Sequence, residues 1–169
     1  MPPVLRHFSD DGETPNHPQL PVVIQHLDDL GDRSDPAGWL EQTFTRHGWT
    51  GTWRWGVYPF HHFHTTDHEV LGVFAGNATL QLGGKRGERF EVTRGDVIVL
   101  PAGTGHKCLE ASPDFQVVGA YPQGDSPDLV RSGEGDLEAA RERILQVPLP
   151  ENDPVHGADG PLIRAWTEP

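Results

Sequence analysis

The chain opens polar, turns briefly apolar, and then settles into a long series of short apolar runs. Residues 1–20 are rich in Pro, Asp and His and read as an extended arm with little regular structure. Residues 22–26 form a short β-type run. Residues 36–47 read as a helix, with Asp35 placed to cap it, Pro36 at its first position and Gly48 after its end. Trp39, Leu40, Thr43 and Phe44 fall on one face of it. From 53 to 121 the pattern is all β, with strands expected at 53–58, 61–64, 69–74, 78–83, 88–93, 96–100, 106–110 and 115–121. Turns at Gly76-Asn77 and Gly83-Gly84-Lys85-Arg86-Gly87 separate several of them. The second turn lacks the helix and the ending of a phosphate loop, so it reads as a hairpin. Many short strands with such turns imply a sandwich or barrel. Residues 136–146 read as a second helix with Leu137, Ala140, Ile144 and Leu145 on its apolar side. The tail from Pro148, rich in Pro, Gly and Asp, reads as a segment lying along the surface.

The β region carries its chemistry where polar residues interrupt the apolar runs. Side chains on a strand alternate faces, so His62 and His64 point to one side and Phe63 to the other. Thr65-Thr66-Asp67 is turn-prone, and Glu69 then opens the next apolar run. Gly95-Asp96 signals a turn, 97–100 a short strand, Pro101-Ala102-Gly103 its end, and His106 the start of another strand. His62, His64, Glu69 and His106 thus offer three nitrogens and one oxygen to a metal. Such donors suit Mn, Fe, Co, Ni or Zn rather than Ca or Mg. Four protein ligands on an ion that accepts six leave two positions for water, substrate or dioxygen.

Neighbouring residues are candidates for the pocket or for holding a ligand in place. Tyr58 and Phe60 share parity with His62, and the competing reading is barrel core. His61 has the opposite parity to His62, and His68, as the neighbour of Glu69, should face away from it; both read as solvated or packed histidines, unless a bend at 65–67 turns His68 inward. Cys108 shares parity with His106 and reads as a small buried residue near the site. Trp49, Trp53 and Trp55 read as core or dimer contact. No separate base for a Ser or Cys nucleophile is evident.

The spacings resemble the two cupin motifs. The first is Gly56, five residues, His62-x-His64, four residues, Glu69, six residues, Gly76; the second is Gly95, Pro101, Gly103 and His106. It departs only at Glu110, where cupins often carry Asn, a position that is not a ligand in the family. The runs HGWTGTWRWGVYPFHHFHTTDHEVLGV, LQLGG, GDVIVLPAGTGHKCL and FQVVGAYP are similar to small bacterial YjlB-like cupins, as are DDGETPNHPQLPVVI and VPLPENDPVHGADGPLIRAW. The resemblance implies an all-β fold: one cupin jelly-roll β-barrel with a helix before it and a helix after it. It covers 1–169 as a single domain, with arm and helix in 1–52, barrel core in 53–121, and helix and tail in 122–169. It also implies one divalent transition metal per chain, Fe, Mn, Ni or Zn, and a homodimer. It fixes no reaction. By family analogy a metal-dependent enzyme acting on a small oxygen-bearing substrate leads, with dioxygenase-like oxidation ahead of isomerisation or decarboxylation. A small-ligand-binding module with a structural metal is the alternative, and a metal-free epimerase-like cupin using a His base comes last.

Composition narrows the partners. A chain of 169 residues fits one domain and stands without disulfides. Cys108 is its only cysteine, which fits a reducing compartment. There is no run of apolar residues long enough to span a membrane and no secretory-type start, so the cytoplasm is the expected location. The net charge of −12 argues against nucleic acid as a partner and leaves a small molecule as the expected one.

Overall fold

The apolar run that follows Glu69 becomes the centre of the larger of two antiparallel sheets, because both of its faces are covered. The computed structural model describes residues 2–124 and 126–168. In chain order the strands and helices are β1 (Val4–Arg6), β2 (Val22–His26), α1 (Pro36–Arg46), β3 (Thr50–Trp55), β4 (His62–Phe63), β5 (Glu69–Ala75) and β6 (Asn77–Leu82). There follow β7 (Glu88–Thr93), β8 (Asp96–Leu100), β9 (His106–Ala111), β10 (Gln116–Tyr121), β11 (Val130–Arg131), α2 (Leu137–Gln146) and α3 (Pro161–Thr167). One sheet runs β1-β2-β8-β5-β10-β3 and the other β11-β4-β9-β6-β7. The fold is the all-β jelly roll that the motifs imply, with helices packed outside it.

Strand parity divides the core in two. Leu71, Val73, Ile98, Leu100 and Val117 point between the sheets and meet Leu80 and Leu82 of the facing sheet. Val70, Val97, Val99, Val118 and Ala120 point out and are roofed by Leu40 and Phe44 of α1 and by Trp49. Asp35 accepts from the Gly38 amide at 3.0 Å, so α1 starts where its cap dictates. Gly72 lets the helix approach: a Cβ there would meet Leu40 and Phe44 at 3.0 Å. Burying a side chain such as Phe44 contributes about 1.5–3 kcal/mol, and Phe44→Ala would lose about 3–5 kcal/mol because a cavity is left.

Four expectations need correction. The N-terminal arm is not without regular structure: Val4–Arg6 pairs with β2 at the edge of the large sheet. A short strand that the sequence did not signal also lies after 121, at Val130–Arg131. The tail does not lie loosely on the surface. Its α3 buries Leu162 and Trp166 against the outer core, and the Asp153 carboxylate accepts from Gln25 Nε2 and from the amides of Val155, His156 and Leu162. In α2, Leu145 is 60 % exposed and only Ala140 and Ile144 are buried, because a helix of about three turns resting on a curved surface buries a stripe narrower than the pattern offers.

Candidate metal centre

Three imidazoles converge between the sheets because register and turns place them there. His62 in β4 lies directly opposite His106 in β9, and their ring centroids are 4.0 Å apart. His64 follows β4 by one residue and is anchored by the Gly103 amide, which donates to its carbonyl at 2.7 Å. Glu69 comes from the other sheet, where it opens β5 opposite Leu100. One nitrogen from each of His62, His64 and His106 lies within 4.8 Å of the others.

The backbone fixes which nitrogens face inward. His62 Nδ1 meets the Phe60 carbonyl at 2.9 Å, His106 Nδ1 meets the Thr104 carbonyl at 3.0 Å, and His64 Nδ1 meets the Asp128 carbonyl. A carbonyl only accepts, so each Nδ1 carries a hydrogen, and each ring when neutral presents the lone pair of Nε2 to the centre. Glu69 Oε1 lies 3.3 Å from His106 Nε2 and 3.5 Å from His64 Nε2. It is buried and has no hydrogen-bond partner among the described residues. With the rings neutral these acceptors face one another with no donor between them, an arrangement that could hold a cation, since buried polar atoms otherwise find partners.

The electrostatics point the same way. Burial and the neighbouring His106 and His64 hold His62 down to about 2, so it is neutral at any working pH. Burial would also lower His64, but the Glu69 carboxylate outweighs it and raises the imidazole above its ordinary value. Burial would raise Glu69, and His64 and His106 instead hold its carboxyl well below the usual range.

Asp128 was not singled out in the sequence, yet it touches the site. The β4–β11 register, Val130 opposite Phe63, carries Asp128 to Thr65. Its carboxylate accepts from the Thr65 amide at 2.7 Å, from Thr65 Oγ1 at 2.5 Å and from Thr66 Oγ1 at 3.3 Å. Arg143 of α2 donates to Thr65 Oγ1 at 2.9 Å.

A cavity of about 250 Å³ opens over the donors. Trp53, Trp55, Tyr58, Leu71, Tyr121 and Leu129 form much of its wall. Trp53 lies over Gly119, its cross-strand partner, and its Nε1 donates to the Tyr121 hydroxyl at 2.7 Å. Burial and the Glu69 carboxylate push the Tyr121 phenol up, so it stays protonated. The tryptophans were expected as core or dimer contact: Trp49 is fully buried, Trp53 packs against the inner core, Trp55 is 55 % exposed, and Trp53 and Trp55 also line the cavity. Their period-two spacing on β3 was the available signal.

The remaining candidates separate cleanly. Tyr58 lines the cavity with its ring 5.3 Å from His62. Phe60 stacks on Tyr58 at 4.9 Å and lines a different cleft, bracing His62 from outside. His61 turns into that same cleft beside Lys107. His68 is fully buried away from the donors: its Nδ1 accepts from the Ala102 amide at 2.9 Å, and its Nε2 meets the Pro148 carbonyl at 3.1 Å. Burial and nearby His17 lower it to about 3, so it is a neutral packing residue, as its place next to Glu69 led us to expect. Cys108 faces between the sheets and packs against their core, short of the cavity wall. Asp67, pushed up to about 6 by burial, accepts from the His68 and Gln123 amides and ties the 65–68 turn to the loop after β10.

The chain is similar to YjlB of Bacillus subtilis, described as an uncharacterized protein: 42 % identical over 161 residues, covering 95 % of this chain and 94 % of that one. No family model matches. Among solved structures it is similar to pumpkin seed globulin, at 22 % identity and a TM-score of 0.40, over 47 % of this chain and only 22 % of the globulin. It is also similar to an acireductone dioxygenase from Bacillus anthracis with cadmium in its active centre, at 18 % identity and a TM-score of 0.42, over 63 % of this chain and 82 % of that one. At such scores these two structures carry no argument about activity. No helix among the described residues is long and apolar enough to cross a membrane.

Proposed function

The chain belongs to the YjlB family of cupins, and from that premise we propose that it is a metal-dependent enzyme acting on a small oxygen-bearing substrate. Dioxygenase-like oxidation ranks first, ahead of isomerisation and decarboxylation. His62, His64 and His106 through Nε2, and Glu69 through its carboxylate, would hold one divalent ion of the Fe, Mn, Ni or Zn kind. Such an ion supplies Lewis-acid activation of a chelated substrate and, as iron, a route to dioxygen chemistry. The observation that carries the reading is the meeting of convergent acceptors with an open cavity. A structural site is closed by its protein ligands, whereas a catalytic one keeps positions facing a pocket.

The chain's own groups have definable tasks. The Phe60, Thr104 and Asp128 carbonyls orient the rings. The protonated Tyr121 hydroxyl, held by Trp53, is placed to donate to an oxygen where negative charge develops. The apolar wall excludes water from the reacting atoms. The test is dioxygen uptake by Fe(II)-reconstituted protein against a panel of small diols and hydroxyketones. Uptake matching substrate loss supports oxidation. Conversion without uptake moves the assignment to an isomerase or lyase, and binding without conversion leaves a ligand-binding module.

A further inference from the structure

The cavity wall restricts what can enter, and the restriction rests on the metal-dependent reading above. Among the described residues that line it there is no lysine or arginine. Strand parity builds this absence. Arg54 sits between Trp53 and Trp55 and is therefore turned to the opposite face, where it pairs with Glu41 at 2.6 and 2.9 Å. Lys107 follows His106 and lines the separate cleft beside His61. Arg131 lies opposite His62 in the β4–β11 pair, yet its guanidinium rests over the Phe60 ring at 4.0 Å. Every cation carried by the strands that build the site thus faces away from it.

What remains is a largely uncharged wall in which Tyr121 is the hydroxyl fixed by a neighbour and Ser126 adds a second. The indoles of Trp53 and Trp55 and the side chains of Leu71 and Leu129 offer stacking and apolar contact. The Tyr121 hydroxyl accepts from Trp53, which leaves its own hydrogen for a ligand oxygen or for Glu69. A carboxylate or phosphate brought in beyond the chelating atoms would shed its hydration with no fixed positive charge in exchange. Size is bounded as well. A cavity of ~150 Å³ holds a benzene ring, so about 250 Å³ takes one six-membered ring with small substituents.

We propose that the natural ligand is a small chelator with an uncharged body: one ring, or a chain of similar size, that presents two adjacent oxygens to the centre and carries no further anionic group. The test uses the full chain reconstituted with Zn(II), which is redox-inert, with metal content measured before and after each titration. Two probes of matched shape, 3,4-dihydroxybenzamide and 3,4-dihydroxybenzoate, are titrated by calorimetry. The amide binds about tenfold more tightly or better, since the pair differs chiefly in a charge left unpaired on burial. Leu129→Arg, at a rim position 47 % exposed, brings the benzoate level with the amide or ahead of it. Benzoate binding as tight as the amide in the unaltered protein, binding of neither probe to zinc-loaded protein, or a preference unmoved by Leu129→Arg overturns the proposal and leaves the metal centre standing. Failure to retain zinc instead brings down the metal-dependent reading itself, and the ligand class with it.

Discussion

Replacing Asp128 with alanine tests whether a loop far along the chain sets the chemistry of His64. The carboxylate holds residue 128 through the Thr65 amide and the Thr65 and Thr66 hydroxyls, and the carbonyl of the same residue orients His64 Nδ1. Hydrogen bonds to a charged group contribute about 1.5–3 kcal/mol each when buried. Asp128 is only half-buried, so solvent screening reduces its total anchoring to about 2 kcal/mol. Once residue 128 drifts, His64 keeps its place in the chain and loses its fixed orientation. Loss of such an orienting contact lowers metal affinity about 10–100-fold, equivalent to about 1.4–2.7 kcal/mol. Asp128→Asn retains one acceptor oxygen and falls between. The assay is the apparent metal Kd by competition with a chromophoric chelator at fixed pH, beside the Tm of metal-stripped protein. An affinity within threefold of wild type, or an affinity loss only as large as the loss of metal-free stability, would refute the argument.

Four other perturbations have definite outcomes. Metal affinity rises with pH by about tenfold per unit while His64 holds a proton that binding must expel, and it levels off above that group's raised pKa; competition titrations across pH check this. In metal-stripped protein, the depressed Glu69 contributes stability above its ordinary 4.5 that is lost as pH falls through its folded value. The raised His64 contributes below its ordinary 6.5 and loses this as pH climbs through its own, so the ion-pair contribution is complete between those values and denaturant melts should follow it. His68→Ala leaves the Ala102 amide and the Pro148 carbonyl unpaired beside a cavity, costing about 3–5 kcal/mol in denaturant melts while the folded fraction keeps its metal. Gly119→Ala puts a Cβ 2.1 Å from the Trp53 indole and displaces it from Tyr121, which changes tryptophan emission and weakens ligand binding while metal content holds.

The donor residues were legible because alternation and motif spacing are local. Period two set His62 and His64 on one face, the place of His68 beside Glu69 turned it away, and the two-sheet fold followed from short apolar runs with glycine turns. Asp128 was not legible, since nothing near it in sequence signals that β11 returns to pair with β4 and delivers it to Thr65. Tyr121 was hidden for the same reason: its role comes from Trp53 across the β10–β3 pairing. The tail was misjudged because its Pro, Gly and Asp content describes how the chain turns. Its anchoring lies in isolated groups, the buried Asp153 carboxylate and the Trp166 indole, whose Nε1 donates to the Pro21 carbonyl at 2.9 Å.

Metal content by inductively coupled plasma mass spectrometry, on untagged wild type beside His64→Ala, tests the four-residue centre most directly. About one equivalent of a transition metal per wild-type chain, lost in the variant, is the predicted result. No metal after reconstitution, or full occupancy retained without His64, would contradict it.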